Sequence, residues 1–167
     1  VPLNPRGRDQ ARAVGRLLAD AVRDLGQRPF FVSPLSRASD TARLLREAAG
    51  LDPDVFVKDE RLAELGFGAW EGATMREIRE REPAEARLRD AARWTHRPPG
   101  GESYEDVENR LATFFAALDR PSVVVAHGGV IRAALALLGA AARETLPGLH
   151  VRQGRAILLK TEGWRWI

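Results

Sequence analysis

The sequence predicts an α/β fold: a mainly parallel central sheet with helices on both faces, in three layers, and a small helical cap. Three observations predict it. Phe30-Phe31-Val32 and Val123-Val124-Val125 are short apolar runs without alternation, the pattern of strands buried on both faces. Stretches with apolar residues at three- and four-residue spacing alternate with these runs. Both runs break abruptly, at Ser33-Pro34 and at His127-Gly128-Gly129, and a helical pattern follows each break.

The first helix is expected from about Gly7 to Leu25. Ala11, Val14, Leu17, Leu18, Ala21, Val22 and Leu25 form its buried stripe, and Gly26 is its stop. A strand over residues 30–32 follows. A second helix is expected over 39–49, with Ala42, Leu45 and Ala49 inward and Gly50 at its end. Val55-Phe56-Val57 reads as a third strand. Residues 59–72 carry too many charges and glycines for an interior element and read as a structured loop. Thr74 with Glu77 forms a capping box for a helix that Pro83 ends or bends. Residues 84–95 are helix-like, and 96–101 must be loop. Ser103 and Asp106 open a helix to Leu118, with Val107, Leu111, Phe114, Phe115 and Leu118 inward. A strand over 122–126, a helix over 130–138 and a strand over 156–159 follow. Trp164, Trp166 and Ile167 suggest a last strand at an edge. Residues 1–167 read as one domain, with 73–103 as a cap insertion over one end of the sheet.

The 167 residues are 44% hydrophobic, enough for a sizeable core. There is no cysteine, which excludes disulfides, thiolate catalysis and cysteine metal sites. No stretch approaches the roughly 18 apolar residues of a membrane span. Nothing at the start resembles a signal peptide. A cytoplasmic location is the expectation. Net charge is +3, and arginine replaces lysine except at Lys58 and Lys160. Most arginines alternate with acids, as in Arg79-Glu80-Arg81-Glu82, the pattern of a solvated helix face. No aromatic-interleaved basic stripe is present, so neither nucleic acid nor a membrane is expected as a partner. A homodimer is the oligomeric form considered.

His127 is the strongest candidate for chemistry. It stands where α/β sheets gather ligands, at the carboxyl end of a strand and beside the amides of the next helix. Gly128 and Gly129 let a ligand approach the backbone. Arg37 follows the other apolar strand in Ser33-Pro34-Leu35-Ser36-Arg37-Ala38. A cation near a helix start opposes the dipole, and an anion held there would offset that cost. A surface salt bridge explains Arg37 equally well. Ser33 and Ser36 could donate to the same anion or serve as turn and cap residues. Glu64 sits among apolar residues in a glycine-rich loop. Partial burial favours the protonated form of a carboxyl, which suits it to give a proton to a leaving group. The alternative is a carboxylate that caps backbone amides. Glu71 has similar surroundings, although Trp70-Glu71-Gly72 reads more as an anchor and turn. Glu102 and Ser103 stand at a helix mouth; the cap accounts for Ser103, and Glu102 either braces an arginine in the pocket or faces water. His96 is a candidate for a pocket rim and His150 for loop or core. Neither has spacing that makes a metal set with His127.

Several segments together resemble the histidine phosphatase, or phosphoglycerate-mutase-like, superfamily. Residues 2–11 are similar to the segment just after its catalytic Arg-His-Gly. Residues 33–42 resemble its second arginine motif, and 64–72 its general-acid loop. Pro99-Gly100-Gly101-Glu102-Ser103 and Ala126-His127-Gly128-Gly129 also match. The closest pattern is that of the α-ribazole phosphatase and broad-specificity branches. The resemblance implies hydrolysis of a small phosphorylated metabolite through a phosphohistidine, with no metal or other cofactor. It assigns Arg37 and His127 to the transferred phosphoryl group and Glu64 to protonation of the leaving alcohol. Ser36, Gly128, Glu102 and Ser103 are implied as substrate-binding residues.

The Arg-His-Gly motif itself does not occur in the 167 residues. The resemblance places it, with a central strand, upstream of Val1. The expectation is an omitted N-terminal segment that supplies the nucleophile, and an inactive protein without it. A mutase and a non-catalytic phosphate-binding module are the alternatives.

Overall fold

The computed structural model describes residues 2–160 and 163–167. The chain forms two compact units: Val1–Ala63 with Ala117–His127 and His150–Ile167, and Glu64–Ala116 with Gly128–Leu149. The architecture is α/β, a parallel sheet flanked by helices.

In the first unit, α1 (Pro5–Ala21) begins under a cap from Asn4, whose Oδ1 accepts the Gly7 amide at 2.8 Å. Proline at the first helical position loses nothing there, since its amide would have no helical partner. The helix ends at Ala21, four residues before Leu25. Val22 is extended and Asp24 is left-handed (φ 55°), so the chain turns ahead of Gly26. Leu25 remains buried in a short 3-10 turn and joins Val14, Leu18, Phe30 and Leu45 in one cluster. The stripe is narrower than expected: Ala21 is exposed and Leu17 only half-buried.

β1 (Phe30–Val32) lies at the centre of a parallel sheet, between β2 (Val57–Lys58) and β3 (Val123–Val125). Its register pairs Phe30 with Val123 and Val32 with Val125. β2 is shorter than expected. Val55 is exposed, because the turn ahead of it is held by Asp52: its side chain accepts the Asp54 amide and its carbonyl accepts from Arg46. α2 (Ser36–Ala48) starts three residues earlier than expected, at the first position after Pro34-Leu35. The Leu35 carbonyl accepts the amides of Ala38 and Ser39 and so closes the first turn. Ser36 and Arg37 are therefore inside the helix. Ala38 and Ala42 pack on Val32 and Val125, which seats α2 on the sheet. β4 (Ile157–Lys160) and β5 (Gly163–Trp166) pair antiparallel in a separate two-stranded sheet. The last strand is thus an edge strand, as expected, of this second sheet.

In the second unit, the capping box of α3 (Met75–Arg81) forms as expected, with Thr74 and Glu77 bonded reciprocally. Thr74→Ala should cost about 1 kcal/mol in denaturant unfolding. Pro83 opens α4 (Pro83–Ala91), which stops short of residue 95. Trp70 is buried against Ile78 and Ala86, the packing anchor its position suggested. α5 (Tyr104–Ala116) starts at the Ser103–Asp106 cap and stops two residues before Leu118. α6 (Gly128–Leu137) starts at Gly128, two residues before Val130. The buried Glu108 accepts from the Trp94 indole and from Arg143, so its charge is matched inside the unit.

Burial raises the Asp106 carboxyl pKa, but the Ser103 amide and hydroxyl and the Arg97 guanidinium outweigh it and leave it below its ordinary value. A depressed folded-state pKa gives stability that is present above the unfolded value, roughly pH 3.9. That stability is lost as pH falls through the folded value. Asp106→Asn should therefore destabilise the protein at neutral pH and flatten this part of the acid-unfolding curve. An unchanged curve would remove Asp106 from the acid response.

Candidate active site

The neighbouring strands β1 and β3 run parallel and in register, so both carboxyl ends open on one edge of the sheet. The Ser33 amide extends the ladder by donating to the Val125 carbonyl at 2.9 Å. His127, two residues beyond β3, meets the residue just beyond β1: its Nε2 lies 2.7 Å from the Ser33 Oγ. Both side chains are buried, Ser33 fully and His127 to 8% exposure. Ser33 is thus turned onto the imidazole.

Arg37 is the second residue of α2 and half-buried. Its guanidinium has no ion pair among the described residues, against the salt-bridge alternative. The α2 N-terminus has no side-chain cap and no acid in its first turn. A positive helix end that carries an arginine in place of an acid is electrostatically suited to an anion.

Glu64, in the second unit, has taken the capping arrangement. Its Oε1 accepts the Leu65 amide at 2.9 Å and the Gly129 amide at 3.0 Å. It therefore caps α6 from a distant part of the chain. Its Oε2 has no hydrogen bond among the described residues. Gly129 is needed for this contact, because a Cβ there would stand 2.5 Å from Oε1. Glu71 instead accepts the Phe67 amide from an exposed position.

Glu102 accepts the Gly66 amide at 3.1 Å and pairs with Arg110 at 3.0 Å. Glu102 thus braces an arginine rather than facing water alone, and that arginine is Arg110 of α5. The Ser103 hydroxyl is used by the α5 cap, where it donates to Asp106 and accepts that residue's amide. His96 stacks on Trp70 and lies 3.3 Å from Glu85, and its buried Nδ1 has no partner. His150 is exposed. Among the described residues no group of three or more His, Cys, Asp or Glu side chains is placed to hold a metal, and no helix is long and apolar enough to cross a membrane.

The sequence reading missed Arg89. A cavity of about 190 Å³ is lined by Phe67, Trp70, Met75, Ile78 and Arg89. Burial first, then the like charge of Arg93, push the Arg89 pKa down, and its Nη1 has no hydrogen-bond partner. The alternating charges suggested a solvated face. The signal was Ala86, three residues earlier on the same face of α4 and buried on Trp70.

The whole chain, residues 1–167, matches the family model described as histidine phosphatase superfamily (branch 1), and the chain belongs to that family. It is 38% identical over 152 residues to glucosyl-3-phosphoglycerate phosphatase of Mycolicibacterium vanbaalenii, covering 81% of this chain and 62% of that protein. It is 34% identical over 150 residues to human 6-phosphofructo-2-kinase/fructose-2,6-bisphosphatase 4, covering 88% of this chain and 30% of that protein. The chain thus spans less than two thirds of either relative. Among solved structures, the α-ribazole phosphatase of Shigella flexneri superposes with a TM-score of 0.73 at 29% identity, covering 98% of this chain and 81% of that one.

Proposed function

We propose that the protein carrying this chain is a phosphomonoesterase that hydrolyses a small phosphorylated metabolite through a phosphohistidine. The observation that carries the reading is within the first unit: a buried histidine at the end of β3, and an arginine with no ion-pair partner in the uncapped first turn of α2, on adjacent parallel strands. The phosphatase names of the two relatives and of the solved structure support the reaction class.

Arg37, His127, the Ser36 hydroxyl and the Gly128 amide bind the transferred phosphoryl group. Their charge and dipoles meet the negative charge on its equatorial oxygens as the bond to the leaving group breaks. The nucleophile is the histidine of an Arg-His-Gly segment outside these residues. Its imidazole takes the phosphoryl group, and the ester oxygen leaves with a proton from Glu64. Water then attacks phosphorus, the P–N bond breaks, and Glu64 regains a proton from the water. Oε2 is the Glu64 oxygen assigned to carry that proton, since Oε1 is held by two amides. Glu102 and Ser103, whose polar atoms are already engaged, shape the loop and need not touch substrate.

Turnover of p-nitrophenyl phosphate by the full-length protein, with a chelator present, tests the reading. Glu64→Gln should lower kcat on an alkyl phosphate by about 100-fold and on the nitrophenyl ester far less, because a good leaving group needs no acid. Equal losses on both esters would remove Glu64 from proton transfer.

A further inference from the structure

Glu64 stands on a stretch of loop with no regular secondary structure. A proton donor works only where its carboxyl is held in place, and a shift of ~1 Å can cost on the order of 100-fold in rate. Just beyond it, both polar backbone groups of Gly66 are taken by one residue: the Gly66 amide donates to Glu102 Oε2 at 3.1 Å, and its carbonyl accepts the Glu102 amide at 2.8 Å. Glu102 is itself held by α5. Arg110 donates from Nε to Oε1 at 3.0 Å and from Nη2 to Oε2 at 3.2 Å, a two-point grip that fixes a carboxylate in one orientation. The two loops also meet backbone to backbone. The Ala69 amide donates to the Pro99 carbonyl at 2.9 Å, and a Cβ on Gly101 would stand 2.7 Å from the Gly66 carbonyl oxygen. A line of contacts thus runs from α5 through Arg110 and Glu102 into the loop of Glu64.

We propose that Glu102 is a positioning residue: by clamping Gly66 to α5 it fixes the loop of Glu64 and so aims the Glu64 carboxyl at the leaving oxygen. The proposal rests on the proton-donor role given to Glu64 above. The amides of Leu65 and Gly129 hold Oε1, which makes that oxygen a pivot about which Oε2 can turn. The clamp on Gly66 restrains the chain on the other side of the pivot. Glu102 thereby acts on the reaction through Glu64, with no contact to the substrate. A residue that touched the substrate would affect every ester, and a residue that only kept the unit folded would lower all rates alike.

The test uses the full-length protein. Glu102→Ala should lower kcat/KM about 30-fold on an alkyl phosphate, mostly through kcat, and no more than about threefold on p-nitrophenyl phosphate, whose leaving group needs no acid. Made on top of Glu64→Gln, the same change should cost less than about threefold on either ester, because a residue that acts through another has nothing left to act on. Glu102→Asp keeps the charge and shortens the reach, and should show a smaller form of the same ester dependence. Glu102→Gln keeps an oxygen at the same reach and should recover most of the loss. Amide hydrogen exchange reads the clamp without substrate: Glu102→Ala should speed exchange at Gly66 and also at Gly129, whose acceptor is Glu64 Oε1. Equal losses on both esters, losses fully additive with Glu64→Gln, or wild-type exchange at Gly129 would overturn the proposal. If the alanine variant does not fold, the aspartate variant carries the same three readouts. Equal losses on both esters in Glu64→Gln itself would sink the proton-donor reading, and faster Gly129 exchange would then leave Glu102 as the residue that holds the Glu64 carboxylate.

Discussion

Alanine in place of Arg37 is expected to lower kcat/KM for a phosphomonoester by about 1000-fold and leave the unfolding free energy within about 0.5 kcal/mol of wild type. The two halves of this result come from one observation. The guanidinium has no ion pair among the described residues and is half-exposed, so the folded chain loses no bonded partner when it goes. In the proposed reaction its partner is the phosphoryl group of the substrate, which forms no part of the chain. Lysine at this position should recover only a small part of the loss, because an ammonium is a point charge and cannot present two parallel N–H donors to a phosphoryl group. If Arg37→Ala instead lost stability and kept its turnover, Arg37 would be a structural residue. Initial rates and urea unfolding on the same preparation separate the two cases.

The second large effect is on stability. Gly15 lies in α1 where that helix crosses α2, and a Cβ there would collide with the Leu45 carbonyl and press on the Ala48 side chain. Glycine to alanine inside a helix ordinarily stabilises by roughly 0.5–1 kcal/mol. Here the obstacle is backbone, which cannot rotate away, so the sign should reverse. A loss of about 3 kcal/mol is expected, the upper range for overpacking. Gly148→Ala is the control: its added methyl meets nothing within 4 Å, and its effect should stay within about 0.5 kcal/mol. Denaturant midpoints for the two variants test the helix crossing. A Gly15→Ala variant as stable as wild type would mean that the helices do not approach as closely as described.

Much of this architecture was legible because periodicity reports burial. Phe30-Phe31-Val32 and the Val123–Val125 run formed strands where expected, and both Thr74–Glu77 and Ser103–Asp106 formed caps. Boundaries failed where a backbone feature outweighed the apolar pattern. α1 stopped at Ala21 because Asp24 takes a left-handed conformation, and α2 began at Ser36 because the Leu35 carbonyl closed the first turn. The pairing of β5 with β4 was not legible, since alternation shows which face is buried but not which neighbour is bonded. At the site, residue type and strand-end position singled out His127 and Arg37. The same reasoning left Glu64 between two roles, and it is the amides of Leu65 and Gly129 that show one of its oxygens to be engaged. Ser33 was read as a possible anion donor; its orientation toward the imidazole depends on the strand register, which no local pattern contains.

The claim on which the account depends is that Arg37 and His127 bind one oxyanion together. A double-mutant cycle on inorganic phosphate affinity of the full-length protein tests it directly, by titration calorimetry of wild type, Arg37→Ala, His127→Ala and the double variant. Groups that share a ligand are strongly coupled, whereas independent sites add within roughly 0.5 kcal/mol. The account predicts that either single change removes most of the affinity and that the second adds little. Fully additive losses, or phosphate affinity unchanged in either single variant, would contradict it.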